Sequence, residues 1–242
     1  MNFVFDVDGT LTPSRDKIDP YFEQFFIEFC GKNKVYLVTG SDFAKTQEQL
    51  GVNVLRSVQG IFSCSGNQYI KRDIAVYDYK LYPAYNYIYQ NDFTPSEELL
   101  NALNHELKVS GFSVRTGNHI ENRIGMINFS VVGRNANKEE RQLYVIWDEA
   151  INERGNICER LNTKFPELEC VIGGETGIDI YPKGKNKAQI REHIEGPITF
   201  FGDRCDPGGN DYPLAKIADV VYNVKSWEET EYILRMQYNV KD

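Results

Sequence analysis

Asp6 and Asp8, in Asp6-Val7-Asp8-Gly9-Thr10, directly follow the apolar run Phe3-Val4-Phe5. On a regular strand two such carboxylates share a face, and the glycine lets the chain turn so that one side chain and one carbonyl can address the same metal ion. A second acidic loop, Gly202-Asp203 through Gly208-Gly209-Asn210-Asp211, follows another apolar run, Ile198-Thr199-Phe200-Phe201. Oxygen-only donors of this kind suit Mg²⁺. Between the two loops in chain order stand the hydroxyls of Thr39 and Ser41 and the cation of Lys187. A lone Asp-x-Asp-Gly is as readily a turn or a helix start. Four elements in this order, each near an expected strand end or helix start, point instead to a metal-assisted active site.

The elements that must position these residues follow from hydrophobic periodicity. Phe3-Val4-Phe5 and Val35-Tyr36-Leu37-Val38 read as buried strands, and Phe22, Phe25, Phe26 and Phe29 mark one face of a helix between them that ends near Gly31. Ile198-Thr199-Phe200-Phe201 and Ala218-Asp219-Val220-Val221-Tyr222 are two more strands, separated by a short loop and a helix. Strands alternating with helices imply a parallel sheet covered on both faces, with its ligand site at the carboxyl ends of the strands. The middle of the chain differs. Thr94-Pro95-Ser96-Glu97 reads as an N-cap, a first-turn proline and a capping-box acid, opening a helix that carries Leu99, Leu100, Leu103 and Leu107. Strands are expected over about 111–116 and 120–132, a long helix over 137–164, and strands over 168–173 and 176–182. Helix-strand-strand repeated twice suggests an antiparallel sheet with helices on one face. The fold class expected is therefore α/β, a Rossmann-like core of 1–80 and 185–242 with an inserted α+β cap of 81–184. The crossings fall in the tyrosine-rich stretch Tyr77–Tyr89 and at the turn Pro182-Lys183-Gly184.

Composition agrees with a globular enzyme and excludes other classes. The 242 residues are 41% hydrophobic and carry 27 Lys+Arg against 35 Asp+Glu, a net charge of −8. The overall field repels nucleic acid and anionic membranes, so neither is expected as a partner, and an anionic ligand must be held by local cations. No apolar stretch is long enough to cross a bilayer, and an acid at position 6 interrupts any leader-like segment, so a cytoplasmic location is expected. Five scattered cysteines without Cys-x-x-Cys read as reduced, mostly buried thiols. His105, His119 and His193 have no metal-ligand spacing, and Gly173-Gly174 reads as a turn rather than a phosphate loop. Arg123, Arg134 and Arg141 cluster in the expected cap. Arg141 sits in the first turn of the long helix, where a cation opposes the helix dipole and a bound anion would account for it.

The core elements resemble those of the haloacid dehalogenase-like (HAD) phosphotransferases. That resemblance implies that Asp6 is the nucleophile forming an aspartyl-phosphate, with Asp8 as general acid and base. It also implies that Thr39, Ser41 and Lys187 hold phosphoryl oxygens and that Mg²⁺ is bound by Asp6, Asp203 and the carbonyl of Asp8. Across nearly the whole chain the sequence is similar to the eukaryotic-type phosphomannomutases. The likeness runs through Asp6–Thr12 with Arg15 and Lys17-Ile18-Asp19-Pro20, then Gly40-Ser41-Asp42, Ser65-Gly66-Asn67, the contexts of Arg123, Arg134 and Arg141, and Asp179-Ile180-Tyr181-Pro182. It continues through Lys187 and Phe201–Asp203 with Pro207–Asp211. It implies a mutase exchanging mannose 6-phosphate and mannose 1-phosphate, with glucose phosphates as alternative substrates, through a hexose 1,6-bisphosphate that also serves as activator. Arg15 and the three cap arginines would bind substrate and its distal phosphate, Asp179 would bind sugar hydroxyls, and the cap would form a homodimer. Gly177 stands where the family has serine, so one sugar contact is missing. The Thr39-Gly40 pair resembles that of HAD sugar phosphatases, which keeps a Mg²⁺-dependent phosphatase as the alternative, and Ala215-Lys216-Ile217-Ala218 departs from the family's further cation loop.

Overall fold

The computed structural model describes residues 1–72 and 85–238. Strand β1 (Asn2–Phe5), helix α1 (Pro20–Lys32), β2 (Lys34–Val38), α2 (Phe43–Ser57), β3 (Gly60–Ser63), β4 (Gln68–Arg72) and β5 (Tyr85–Gln90) form the first part of the core. The insertion comprises α3 (Glu97–Val109), β6 (Ile120–Arg123), β7 (Met126–Phe129), α4 (Lys138–Ile151), α5 (Glu153–Lys164), β8 (Leu168–Gly173) and β9 (Gly177–Pro182). The chain then returns through β10 (Ile198–Gly202), α6 (Tyr212–Ala215), β11 (Val220–Asn223) and α7 (Trp227–Ile233).

The core sheet runs β11-β10-β1-β2-β3-β4-β5, with its first five strands mutually parallel and β4 and β5 antiparallel. The chain steps outward from β1 through β2 to β3 and later inserts β10 on the other side of β1. The topological switch therefore lies at β1, where open α/β sheets bind their ligands. Aromatic packing fixes these strands: Phe5 meets Phe26 of α1 edge-on at 5.2 Å and stacks on Phe201 of β10 at 4.8 Å, which stacks on Tyr222 of β11 at 4.6 Å. Helix α1 ends at Lys32, close to the expected Gly31, and is capped at its start by Asp19, which accepts from the Tyr21 and Phe22 amides, with Pro20 in its first turn. All five cysteines are free thiols, four of them buried. Among the described residues no helix is long and apolar enough to cross a membrane.

The cap is a four-stranded antiparallel sheet, β6-β7-β9-β8. Leu103, Tyr144, Ile157 and Leu161 of its helices pack on Ile127, Phe129, Ile178 and Ile180 of the sheet. Four expectations need correction. Helix α3 is capped by Ser96, whose hydroxyl accepts from the Leu99 amide, so Thr94 and Pro95 precede the helix. Residues 111–116 form no strand: the Arg115 guanidinium binds the Phe112 and Val114 carbonyls within the segment and reaches back to those of Leu107 and Ser110 at the end of α3. The expected strand 120–132 is a hairpin of β6 and β7, turning where Gly125 takes a φ of +67°. The expected helix 137–164 breaks at Asn152, whose left-handed φ of 53° ends α4 and lets Asp148 accept from both the backbone and the side chain of Arg154. The expected 80/81 boundary falls outside the described residues. Tyr85–Tyr89 of the expected hinge lie in β5, paired with β4 in the core sheet.

The Asp148–Arg154 pair is buried, with Nε to Oδ2 at 2.7 Å, and Arg154 also donates to the carbonyls of Gly174 and Gly177 in the β8–β9 turn. Removing one member of a buried pair strands the other without solvation. Arg154→Ala is expected to lower stability by about 3 kcal/mol in urea unfolding, with no change in the denaturant slope.

Candidate active site

Asp6 leaves β1 with its amide bound to the Phe201 carbonyl, so the first carboxylate is held against the end of β10. The turn that follows is tight: the amides of Thr10, Leu11 and Thr12 all donate to the Val7 carbonyl. Gly9 has a φ of +81°, and a Cβ there would lie 2.7 Å from Asp203 Oδ2, so only glycine lets the two acidic loops approach. Asp6, Asp203 and Asp211 each offer an oxygen within 4.8 Å of one another. Lys187 is fully buried beneath them and donates to Asp6 Oδ1 at 2.6 Å and Asp211 Oδ1 at 2.7 Å.

Three carboxylates stand against the buried Lys187 ammonium and the partly exposed Arg204, whose Nε lies 3.4 Å from Asp203 Oδ2, so negative charge remains in excess, which with oxygen-only donors fits a divalent cation. Burial pushes the Asp6 carboxyl well above the usual range despite Lys187, and Asp211 and Asp203 add to that. Burial likewise raises Asp203 to about 7, with Asp211 reinforcing it. Lys187 moves the other way from a typical buried amine: burial disfavours its charge, but Asp211 and Asp6 more than offset this and keep it protonated.

Asp8 is held separately from this cluster. Its Oδ1 accepts from the Arg15 amide at 2.6 Å and from Gln49 Nε2 at 3.0 Å, and its Oδ2 accepts from the Ser41 hydroxyl at 3.3 Å. Arg15 has a φ of 60°, a conformation costly for a side chain of this size, and that geometry aims its amide at Asp8. Gln49, on α2, belongs to no sequence motif, and only the packing of α2 beside the β1 turn brings it here.

The facing wall is cationic. Arg123 donates to Glu121 Oε2 at 2.5–2.8 Å and to the Gly40 carbonyl at 2.6 Å. Arg134 pairs with Glu121 at 3.1 Å, Arg141 with Glu175 at 3.3 Å, and Arg15 donates to the Arg134 carbonyl at 3.2 Å. Burial pushes the Arg134 guanidinium down to about 10, and Arg123 and Arg15 push it the same way. Burial and then Arg141 lower Arg15 in like manner. Asp179 projects from β9 between two amides: Asn128 Nδ2 donates to its Oδ1 at 2.7 Å and Asn210 Nδ2 to its Oδ2 at 3.1 Å.

The expected site residues thus converge. Asp6, Asp8, Arg15, Thr39, Ser41, Arg123, Arg134 and Asp179 line one cavity of about 50 Å³. Arg141 lines an adjoining cavity of about 640 Å³ with Arg15, Ser41, Arg123 and Arg134, and Lys187 and Asp203 underlie the first. Residues without a sequence signal complete the site: Gln49, Asn128, and the two carboxylates Glu121 and Glu175 that occupy the arginines. Cap and core also touch through backbone. The Ile172 amide donates to the Gly208 carbonyl at 3.0 Å and the Asn210 amide to the Ile172 carbonyl at 3.1 Å, so β8 rests on the loop that carries Asp211.

Comparison with known proteins agrees with this geometry. The family model "Eukaryotic phosphomannomutase" matches residues 22–240. The chain is 33% identical over 236 residues to a probable phosphomannomutase of Caenorhabditis elegans, covering 94% of this chain and 91% of that one. Among solved structures, Plasmodium falciparum IMP-nucleotidase superposes with a TM-score of 0.66 at 16% identity, covering 97% of this chain and 67% of that one. A HAD subclass IIB sugar phosphatase superposes with a TM-score of 0.54 at 16% identity, covering 96% and 97%. These two likenesses concern the fold, a HAD-like core with an inserted cap.

Protons and a divalent cation compete for the same oxygens. Asp203, at about 7 in the metal-free protein against about 4 unfolded, binds its proton more tightly when folded. It contributes stability below pH 4 that is lost as pH rises to 7. Mg²⁺ should therefore raise the melting temperature most above pH 7 and progressively less toward pH 5, and Asp203→Asn should abolish that metal-dependent rise. Thermal melts across pH with and without Mg²⁺ check both.

Proposed function

The chain belongs to the eukaryotic phosphomannomutase family, and on that premise we propose that it interconverts mannose 6-phosphate and mannose 1-phosphate, with Mg²⁺ as its metal and a hexose 1,6-bisphosphate as activator. One observation carries this reading: a buried carboxylate cluster and a four-arginine wall face each other across a single site. A substrate with one phosphate at each end fits that polarity. Four guanidiniums against Glu121 and Glu175 leave surplus positive charge for the distal phosphate, and guanidinium forks bind phosphate whichever end of the sugar carries it.

In the proposed reaction, phosphorylated Asp6 is the donor. The free hydroxyl of a hexose monophosphate gives its proton to Asp8, its oxygen bonds to phosphorus, and the bond from phosphorus to the Asp6 carboxylate breaks, yielding the bisphosphate. After the bisphosphate turns, the Asp6 carboxylate attacks the phosphate at the other end. The bond from that phosphorus to the sugar oxygen breaks, and Asp8 returns the proton to the leaving oxygen. Ser41, Gln49 and the Arg15 amide aim Asp8 without occupying all its lone pairs. Lys187, held between Asp6 and Asp211, would meet a phosphoryl oxygen carried on Asp6, and Thr39 and Ser41, which line the cavity, would bind others. Bound at Asp6, Asp203 and the Asp8 carbonyl, Mg²⁺ would neutralise charge on the transferring group and keep Asp6 ionised.

The 50 Å³ between Asp6 and Asp179 lies beside the 640 Å³ cavity lined by Arg141, and the two share Arg15, Ser41, Arg123 and Arg134, so the space open to a sugar phosphate is bounded on one side by the cap. Closed on substrate, it would exclude the water that otherwise hydrolyses the aspartyl-phosphate.

Asp6→Asn is expected to reduce isomer formation by at least about 1,000-fold. Its metal-free melting temperature should fall, because the buried Lys187 ammonium keeps only Asp211 as a charged partner, and circular dichroism at the assay temperature checks that the variant is folded. Arg141→Ala should raise KM by about 10-fold to 100-fold, the worth of a charged hydrogen bond, with a smaller effect on kcat. Steady-state assays of mannose 1-phosphate conversion test both variants, and an Asp6→Asn enzyme that retains turnover would refute the mechanism.

A further inference from the structure

The amide of Asn128 has no assigned part in this chemistry. Asn128 lies on β7, is 3% exposed and lines the cavity beside Asp179. Its Nδ2 donates to Asp179 Oδ1, while its Oδ1 is buried without a hydrogen-bond partner. Asn210 shows the same pattern from the core side, with Nδ2 on Asp179 Oδ2 and Oδ1 unpartnered. A buried carbonyl oxygen left unpaired costs stability unless something completes it, and here the space beside it is the substrate cavity.

Gly177 shows why the amide sits there. A Cβ at position 177 would lie 2.7 Å from Asn128 Nδ2 and 3.2 Å from its Oδ1, so the Asn128 amide lies over the glycine in space that any larger residue would contest. Three further constraints hold this corner. A Cβ on Gly173 would lie 2.4 Å from Asp179 Oδ2 and one on Gly40 2.9 Å from it, and Arg154 grips the Gly177 carbonyl from behind. Asp179 is therefore confined, and each of its oxygens already accepts one amide proton.

We propose that Asn128 is a substrate-binding residue whose Oδ1 accepts a hydrogen bond from a sugar ring hydroxyl distinct from the one bound by Asp179, with Gly177 providing the room that lets it do so. This rests on the hexose-phosphate reading of the site. Asp179 and Asn128 would then read two hydroxyls of one ring, each with its own acceptor, and a sugar lacking the hydroxyl that Asn128 binds would leave a buried acceptor unpaired.

The test is a substrate-side double-mutant cycle. Wild type, Asn128→Ala and Asp179→Ala are assayed with a hexose 1-phosphate and with analogues each lacking one ring hydroxyl. Asn128→Ala should lose about 10-fold in kcat/KM with the parent sugar, mostly through KM. With one deoxy analogue its loss should shrink to under about 2-fold, because the partner hydroxyl is already gone. Asp179→Ala should show its smallest loss with a different analogue. Equal losses on every analogue, or coupling of both variants to the same hydroxyl alone, would overturn the proposal and leave Asn128 as an anchor for Asp179. Gly177→Ser, which keeps Asn128 but contests its space, is the second variant. It should reproduce the Asn128→Ala pattern across the analogues, and an unchanged wild-type pattern would count against the proposal. Absence of wild-type turnover on any hexose phosphate would instead indict the reading of the site's substrate.

Discussion

Lys187 is wholly buried, and its ammonium lies within 2.7 Å of two carboxylates that arrive from opposite ends of the chain, Asp6 and Asp211. An ammonium in that position is tolerable only because both partners are there, and the carboxylates are tolerable together only because the ammonium is between them. The insertion of the cap separates Lys187 from Asp6 by 181 positions, so this contact closes the core around the inserted domain. It also sets the electrostatics of the floor. Lys187 between Asp6 and Asp211, with Arg204 beside Asp203, holds the three carboxylates within 4.8 Å of one another and leaves a negative excess suited to a dication.

The second charge system answers the first. Arg15 belongs to the core, but its side chain reaches the Arg134 carbonyl of the cap, and Arg123 of the cap reaches back to the Gly40 carbonyl of the core. The cations that would grip a distal phosphate are thus also the groups that register cap on core. Glu121 pairs with Arg123 and Arg134 and Glu175 with Arg141, so the wall is partly neutralised as it stands. On the metal side, the β8 contact with the Gly208–Asn210 loop ties cap position to the loop bearing Asp211. A few hydrogen bonds therefore link the position of the cap both to the arginine wall and to the loop that carries Asp211.

The carboxylate cluster was largely legible in the sequence, because its residues stand in short segments at strand ends: Asp6-Val7-Asp8-Gly9, Gly202-Asp203 and Gly208-Gly209-Asn210-Asp211 each betray themselves by residue type and position. The α1 face was legible for a similar reason, since Phe22, Phe25, Phe26 and Phe29 repeat with helical period. What was not legible depends on side chains acting on distant backbone. The Arg115 guanidinium satisfies carbonyls that a strand would have used, and Asp148 and Arg154 reward a helix break at Asn152 that helical periodicity cannot reveal. Likewise Gln49 and Asn128 are uncharged residues inside ordinary elements. Their roles come from what the fold places opposite them, Asp8 in one case and Asp179 in the other. The antiparallel strands β4 and β5 extend the core sheet into residues expected to form the hinge, because tyrosine-rich alternation fits an edge strand as well as a packed crossing.

The most direct test of the central claim, one site that exchanges phosphate between the two ends of a hexose, is to supply mannose 1-phosphate and Mg²⁺ with and without a catalytic amount of glucose 1,6-bisphosphate. Mannose 6-phosphate and inorganic phosphate are then both measured. The account predicts mannose 6-phosphate without net phosphate release, at a rate dependent on the bisphosphate. Stoichiometric free phosphate with no isomer formed would contradict it, making the protein a phosphatase whose arginines merely clamp the substrate.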